Sequence, residues 1–175
     1  KNIDVLVGIF DETVRDRRRC AGLELAREPF CCAVSVHHRL AAKDRLKLED
    51  LYGENLMLMR REWSRYVDEL RDDIWQNHSQ IHIVDFDFYS MEAFNRCENS
   101  NDILLSIPGW ANVHPLLKVI PVEWDHSIPF GLLHSPSLPG MKHDMNKQSK
   151  YKYYSRVSNS SRNCFRNILE ARERT

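Results

Sequence analysis

The sequence has no apolar run long enough to cross a membrane and no basic-then-apolar leader, which predicts neither a membrane span nor an export signal. It lacks the C-x-x-C and H-E-x-x-H patterns that supply metal ligands. It also lacks a glycine-rich phosphate loop and a G-x-S-x-G nucleophile turn. These absences predict a cytoplasmic protein with no catalytic residues, no metal site and no cofactor.

Cysteine is present in an odd number, five, and Cys31 and Cys32 are adjacent within an apolar run. This usage predicts reduced thiols in a core rather than a disulfide framework. His37 and His38 follow closely, but adjacent residues on a strand point to opposite faces, so neither pair converges on one metal ion. The polar residues 123–126 can hold an acid–base pair, and the alternative is a surface turn.

Charge is balanced over the whole chain but not along it. Residues 141–175 contain nine Lys or Arg against three Asp or Glu, so they carry a net charge of +6 and residues 1–140 carry −6. The change follows the Pro- and Gly-containing residues 136–140, which predict a domain boundary. We interpret 140–175 as a basic polar tail that is solvated, partly disordered or helical; contact with nucleic acid is the alternative.

The remaining chain alternates between strand-like and helix-like segments. Strands are predicted at 3–10, 23–27, 30–36, 56–59, 81–85, 103–107, 119–122 and 129–134. Helices are predicted at 65–77 and 91–97, where Ser64 and Ser90 are candidate N-caps whose hydroxyl oxygens accept from first-turn amides. The run 56–59 has no polar alternation, which is typical of a strand covered on both faces. The fold class is therefore an α/β lobe with a mixed sheet and flanking helices.

The most informative stretch is 30–61, which contains the pattern Leu48-x-Asp50-Leu51-x-Gly53-Glu54-x-Leu56. Together with His38-x-Leu40-Ala41 and the later Ile128-Pro129-Phe130-Gly131-Leu132-Leu133-His134-Ser135, it resembles the effector-binding domain of LysR-type transcriptional regulators. The three motifs occur in family order over about 3–139. The family usually has proline after the histidine, where this chain has Arg39, and the family's apolar return helix has no counterpart in 140–175.

The resemblance implies a fold like that of type 2 periplasmic binding proteins. Residues 1–13 would be a remnant of a first lobe with the crossover, 14–139 the second lobe, and 140–175 the tail. The helix-turn-helix and most of the first lobe are expected to lie outside this chain, so DNA would be bound only through an absent domain. The implied function is binding of a small metabolite at an interlobe cleft by a homodimer or homotetramer. The alternative is a solute-binding protein or an enzyme built on the same lobe.

Two strand–helix junctions are candidate effector contacts, because helix N-termini favour anions. At the first junction, Arg60 and Arg61 precede Ser64, and two guanidinium groups can hold a carboxylate; the alternative is pairing with Glu62 or Asp68. At the second junction, aromatic residues suit an aromatic acid, and the alternative is core packing. The resemblance implies effector contact at both junctions and at the turn after 103–107, which gives the candidate set Arg60, Arg61, Ser64, Phe86, Phe88, Tyr89, Ser90, Pro108 and Gly109. It also implies a hinge at Phe10, Asp11 and Glu12.

Overall fold

The computed structural model describes residues 5–9, 11 and 20–134, and within them the chain forms two β-sheets and two α-helices. The strands are β1 Val5–Ile9, β2 Ala21–Pro29, β3 Cys31–Ser35, β4 Asn55–Met59, β5 His82–Phe86, β6 Ile103–Ser106, β7 Leu117–Pro121 and β8 Ser127–His134. The helices are α1 Arg65–Asn77 and α2 Met91–Glu98. Short 3-10 turns lie at Arg39–Ala42, Leu48–Leu51 and Pro108–Trp110. Within the described residues, every strand and helix predicted from the sequence is present, with its ends at or within a few residues of the predicted ones.

The larger sheet has five strands in the order β5-β4-β6-β3-β7. Strand β4 is parallel to β5 and β6, whereas β3 is antiparallel to both β6 and β7. The sheet is therefore mixed, as the sequence predicted. Since β4, β5 and β6 run in the same direction, their carboxyl ends meet at one edge, where ligands of α/β sheets commonly bind.

The helices cover opposite faces of this sheet. Side chains along β4 alternate between the two faces, and Leu56 and Leu58 lie in one apolar core with α1, whereas Met57 lies in a second core with α2. All three β4 residues are fully buried. This explains why β4 reads as an unbroken apolar run: polar residues at alternate positions would have been buried on either face.

The smaller sheet has three antiparallel strands in the order β1-β8-β2. Strand β2 leads directly into β3 with only Phe30 between them, and β7 returns to β8 through 122–126. The two connections are bonded to each other, because Phe30 N donates to His126 O at 3.0 Å and Trp124 Nε1 donates to Phe30 O at 2.8 Å. Ile128 and Phe130 of β8 are buried in the same core as α1, so the small sheet packs against the lobe.

The 48–56 signature is structural. Gly53 has a φ of +81°, a left-handed conformation that glycine adopts without strain, and it ends the predicted turn. Arg39, which stands where the family usually has proline, bonds Glu54 Oε1 through Nε at 2.6 Å and Asp50 O through a terminal nitrogen at 2.8 Å. Glu54 Oε2 also lies 3.5 Å from Nε2 of the buried His38. The residues of the signature therefore stabilise the connection between β3 and β4. They line neither of the two surface cavities, one at the ends of β4 and β5 and one between α1 and β5.

No helix among the described residues is long and apolar enough to cross a membrane. The predicted tail lies outside the described residues, as do two of the three predicted hinge residues, Phe10 and Glu12.

Candidate functional site

The carboxyl ends of β4 and β5 and the amino end of α2 surround a surface cavity of about 270 Å³. Four residues of the predicted set line it, one from the first junction and three from the second. They are Arg60, Phe86, Phe88 and Ser90. Two segments twenty-six residues apart in sequence thus meet, because β4 and β5 are parallel neighbours with Met59 opposite Phe86. The remaining wall consists of Met57, Asp85, Asp87, Glu92, Ala93 and Arg96.

Arg60 lies at one corner of this cavity and makes two contacts there. Its backbone N donates to Phe86 O at 3.0 Å, which extends the β4–β5 pairing by one residue. Its guanidinium forms an ion pair with Asp87 on the other side of the corner, and both side chains are largely exposed. An exposed pair of this kind is weakly held. The Arg60 guanidinium can therefore exchange Asp87 for the carboxylate of a bound ligand.

Arg61 does not line the cavity and bonds Asp72 on α1 through a terminal nitrogen. The hydrogen bond to Asp72 raises the pKa of the guanidinium, so Arg61 stays charged. The sequence predicted that the guanidinium groups of Arg60 and Arg61 act together, but in the structure they are paired with different carboxylates. The alternative interpretation was right that both arginines are paired, but their partners are Asp87 and Asp72 rather than Glu62 or Asp68.

The turn from β4 to α1 is tightly held. Glu62 has a φ of 73°, which a side-chain-bearing residue rarely adopts, and its backbone N donates to Asp68 Oδ2 at 3.0 Å. Ser64 is the N-cap of α1, but the predicted side-chain cap is wrong: its hydroxyl accepts no cap hydrogen bond. Asp11 takes that place, since its Oδ2 accepts from Arg65 N at 2.9 Å. A carboxylate from beside β1 thus caps the helix, a contact that no local sequence pattern reveals.

The three aromatic residues of the second junction divide between core and surface. The Tyr89 hydroxyl donates to Leu105 O at 2.8 Å, and its ring lies edge-on to Phe86 and Trp110 with centroid distances of 4.9 and 4.5 Å. Burial raises the pKa of Tyr89 well above its ordinary value. Phe86 is buried and Tyr89 is half-buried, whereas Phe88 is 62% exposed at the cavity. The core-packing alternative therefore describes Phe86 and Tyr89, and only Phe88 offers a free ring to a ligand.

Ser90 confirms the other capping prediction, because its Oγ accepts from Ala93 N at 3.3 Å at the start of α2. The 3-10 turn that contains Pro108 and Gly109 follows β6 and is exposed, and neither residue lines the cavity. Its Trp110 packs on Tyr89 instead. The roles predicted for Pro108 and Gly109 in effector binding, and for Asp11 in the hinge, remain predictions.

The sequence did not single out the polar wall residues Asp85, Asp87, Glu92 and Arg96. The first two belong to the recognised junction, and Glu92 and Arg96 are four residues apart on α2, so a helical wheel would have placed them on one face. Behind this wall lies the buried Arg71, which donates to Met59 O and pairs with Asp85 Oδ1, each at 2.7 Å. Arg71 thereby joins α1 to the ends of β4 and β5.

Three of the four cysteines in the described part of the chain, Cys31, Cys32 and Cys97, are buried in the core. Burial raises the pKa of Cys31 to about 11 and that of Cys97 to about 12, which makes both thiols poor nucleophiles and poor metal ligands at neutral pH. Among the residues that the structure describes, no three His, Cys, Asp or Glu side chains converge as a metal site. In the loop considered for acid–base chemistry, His126 Nε2 lies 2.9 Å from Asp73 Oδ2, and this bond holds the pKa of the Asp73 carboxyl below its ordinary value.

A second recess, of about 620 Å³, lies between α1 and the edge strand β5. It is mainly apolar, contains the 77% exposed Trp75, and is lined by none of the predicted site residues.

Comparison with known proteins identifies the family. The model for the LysR substrate-binding domain matches residues 1–140. The effector-binding domain of QuiR in complex with shikimate superposes with a TM-score of 0.56 at 16% identity, covering 85% of this chain and 67% of that one. The LysR-family regulator CbnR superposes with a TM-score of 0.57 at 18% identity, covering 77% of this chain and 47% of that one.

The BenM effector-binding domain with its effector benzoate superposes with a TM-score of 0.56 at 17% identity, covering 99% of this chain and 72% of that one. These identities are low enough that the likenesses speak for the fold alone. No curated protein matches the chain. The family model covers four-fifths of the sequence, and the chain belongs to the LysR substrate-binding domain family.

Proposed function

We propose that this chain is the ligand-sensing, effector-binding part of a LysR-type bacterial transcriptional regulator. The observation that carries the proposal is the cavity at the carboxyl ends of β4 and β5, because Arg60, Phe86, Phe88 and Ser90 were predicted as effector contacts and line one wall. Ligands of open α/β sheets bind at such carboxyl ends. Binding a metabolite there alters DNA binding only to the extent that the ligand prefers one lobe arrangement over another.

The cavity wall indicates the chemical class of the effector. Arg60 offers a guanidinium group to a carboxylate, and Phe88 offers an exposed aromatic face. Arg96 also lines the wall, but its guanidinium is bonded to Asp102 through Nε and a terminal nitrogen at 3.1 and 3.0 Å. Asp85, Asp87 and Glu92 provide acceptors for hydroxyl groups in the same wall. We therefore propose a small carboxylate or aromatic acid, preferably one that also carries hydroxyl groups. The structurally similar effector-binding domains of QuiR and BenM contain shikimate and benzoate, which are both small carboxylates.

The proposal extends to the whole protein. It would act in the cytoplasm as a homodimer or homotetramer, and DNA would be bound by a helix-turn-helix domain outside these 175 residues. The lobe itself would sense rather than catalyse. No feature of the cavity favours the alternative of a solute-binding protein or an enzyme.

Calorimetry with benzoate and shikimate tests the proposal. In a full-length version of the protein, the double variant Arg60→Ala with Arg61→Ala is expected to lose the ligand response while remaining folded. The single variants then separate the two side chains: Arg60→Ala should weaken binding about 10- to 100-fold, since a hydrogen bond to a charged group contributes about 1.5–3 kcal/mol. Arg61→Ala should weaken it less, because its guanidinium is bonded to Asp72.

The exposed Arg45 provides a matched control, since Arg45→Ala also removes a surface guanidinium but lies outside the cavity wall. An unchanged dissociation constant in Arg60→Ala would remove Arg60 from the site. Failure of every carboxylate in a broad thermal-shift screen to bind a version of the protein with both lobes would contradict the proposed function itself.

A further inference from the structure

We propose that the apolar recess between α1 and β5 binds residues 163–174 of this same chain. This binding goes beyond the proposed function, because it needs no effector and uses a different surface from the cavity at the ends of β4 and β5. The two surfaces have no lining residue in common. The segment 163–174 lies outside the residues that the structure describes, so its sequence and the shape of the recess support the proposal.

The recess is an apolar surface that lacks a cover. Trp75 is 77% exposed within it, although tryptophan is on average a highly buried residue. An exposed apolar surface next to polar side chains commonly marks a contact site. The recess has a volume of about 620 Å³ and is lined by Ile74, Trp75, Ser79, Ile81, His82 and Ile83.

The tail contains one apolar cluster that complements this recess. Cys164, Phe165, Ile168 and Leu169 are four apolar residues within six positions, whereas residues 142–163 contain five in twenty-two positions. The i, i+3 and i+4 spacing from Phe165 predicts one apolar face of a short helix. A helix of this length is marginal in water, so its apolar face needs a surface to pack against.

Charge favours the same pairing. Residues 141–175 carry a net charge of +6 and residues 1–140 carry −6. Helix α1, which forms one wall of the recess, has four Asp or Glu against two Arg, and Arg71 is buried. Six of the nine basic residues of the tail lie at 142–162, immediately before the apolar cluster. The stretch that leads to the cluster is therefore attracted to the acidic surface of α1.

The connection is long enough to reach the recess. Strand β8 ends at His134, and 28 residues, 135–162, precede the segment. An extended chain of that length spans about 90 Å, whereas the radius of gyration of a domain of this size is about 14 Å. Tethering gives an effective concentration on the order of 1 mM, so an intrinsic dissociation constant of about 1 mM fills half of the recesses.

Binding of the segment covers Trp75 and leaves the outer edge of β5 open. The recess lies on the α1 side of the five-stranded sheet. Among the described strands, β5 pairs only with β4, so its outer backbone edge stays available when the recess is filled. The segment thus protects an apolar surface without blocking assembly through the strand edge.

NMR of the full 175-residue chain tests the proposal through the indole N–H of Trp75, which is assigned by its loss in Trp75→Phe. Phe165→Asp with Leu169→Asp places two carboxylates on the apolar face and is expected to release the segment. The Trp75 resonance should then shift. Its exchange with water should rise at least about twofold, because a recess that was filled at least half of the time becomes open.

Met145→Asp with Val157→Asp is the matched control, since it adds the same charge to the tail outside the apolar cluster. It should leave the Trp75 resonance unchanged. The indole N–H of Trp124, which donates to Phe30 O at 2.8 Å, is the internal reference for an intact fold. Its resonance should not move in either variant.

A second measurement reads the contact from the tail. Alkylation of the Cys164 thiol, followed by peptide mapping, should be at least about twofold faster in Trp75→Asp than in wild type. Leu116→Asp places the same charge at an exposed apolar side chain outside the recess and should not change the rate. If the variant of the apolar cluster does not fold, this measurement decides.

An unchanged Trp75 resonance in Phe165→Asp with Leu169→Asp, or an equal shift in its control, would overturn the proposal. An unchanged Cys164 alkylation rate in Trp75→Asp would overturn it as well. In wild type the Trp75 resonance should stay constant on dilution from about 0.5 mM to about 20 µM, since tethering is independent of concentration. A shift on dilution would assign the bound segment to a second copy and contradict binding within one chain. Benzoate and shikimate enter none of these measurements, so the proposed function stands or fails separately.

Discussion

At the scale of single residues, the polar groups that connect separate elements of the fold have hydrogen-bond partners far away in sequence. Arg71 holds Met59 O and Asp85, and Asp11 holds Arg65 N. Local patterns predicted Ser64 in the role that Asp11 performs. A sequence window finds residues able to cap a helix, but several candidates can compete for one amide, and only the folded chain selects among them.

Gly53 gives a prediction at this scale. Its φ of +81° is costly for any residue with a Cβ, although no atom lies within 4 Å of where a Cβ would be built. We expect Gly53→Ala to lower the free energy of unfolding by about 1–2 kcal/mol through backbone strain alone. Urea denaturation measures the change.

Gly8→Ala is the matched control, since Gly8 lies in β1, also has open space around its Cβ position and does not have a positive φ. Its substitution should be neutral or slightly stabilising, because alanine restricts the unfolded chain more than glycine does. Equal destabilisation by the two substitutions would mean that conformation at residue 53 is not the cause.

At the scale of elements, the β3–β4 connection shows how a departure from the family pattern is accommodated. His38 precedes the 3-10 turn with φ −69° and ψ 147°, the extended conformation that a residue before proline prefers. Arg39 keeps this geometry and adds bonds to Glu54 and the Asp50 carbonyl. The turn is therefore set by the backbone and by His38 Nδ1, which accepts from Leu40 N, and it does not need the proline.

Arg39→Pro should consequently preserve the fold. Proline is tolerated at the first position of a helical turn, so the expected loss is that of an exposed ion pair, about 1 kcal/mol or less. Arg39→Ala removes only the side-chain interactions. The difference in free energy of unfolding between the two variants, measured by urea denaturation, therefore gives the effect of proline on the backbone. A loss several times larger in Arg39→Pro than in Arg39→Ala would show that the turn depends on the Arg39 amide.

At the scale of the whole molecule, the five-stranded lobe has two edge strands, β5 and β7, and the recess beside β5 exposes Trp75. Relatives are expected to assemble through lobe edges, which gives a prediction of self-association. Light scattering should give a mass that rises with concentration above the 20.7 kDa of one chain. High salt is the control, since it screens contacts made by the basic residues 141–175 and leaves edge pairing largely intact. Monomer alone at high concentration would count against the prediction.

The sequence by itself determined the mixed α/β lobe, the strands and helices with near-correct ends, the family, and the two junctions where a ligand is expected. The strands and helices follow from apolar periodicity, capping residues and glycine, which act over a few neighbouring residues. The family followed from the resemblance carried by the motifs at 38–41, 48–56 and 128–135. The sequence also led to a joint role for Arg60 and Arg61, because residues adjacent in sequence are expected to have side chains that are close in space.

Only the tertiary structure decided which of these side chains meet. The parallel pairing of β4 and β5 brought Arg60 to Phe88 and the acidic wall. Packing turned Arg61 toward Asp72 and placed the Tyr89 ring against Phe86 and Trp110. The same packing delivered Asp11 to the amino end of α1. These outcomes depend on contacts between segments separated by tens of residues, and no local pattern contains the geometry that brings those segments together.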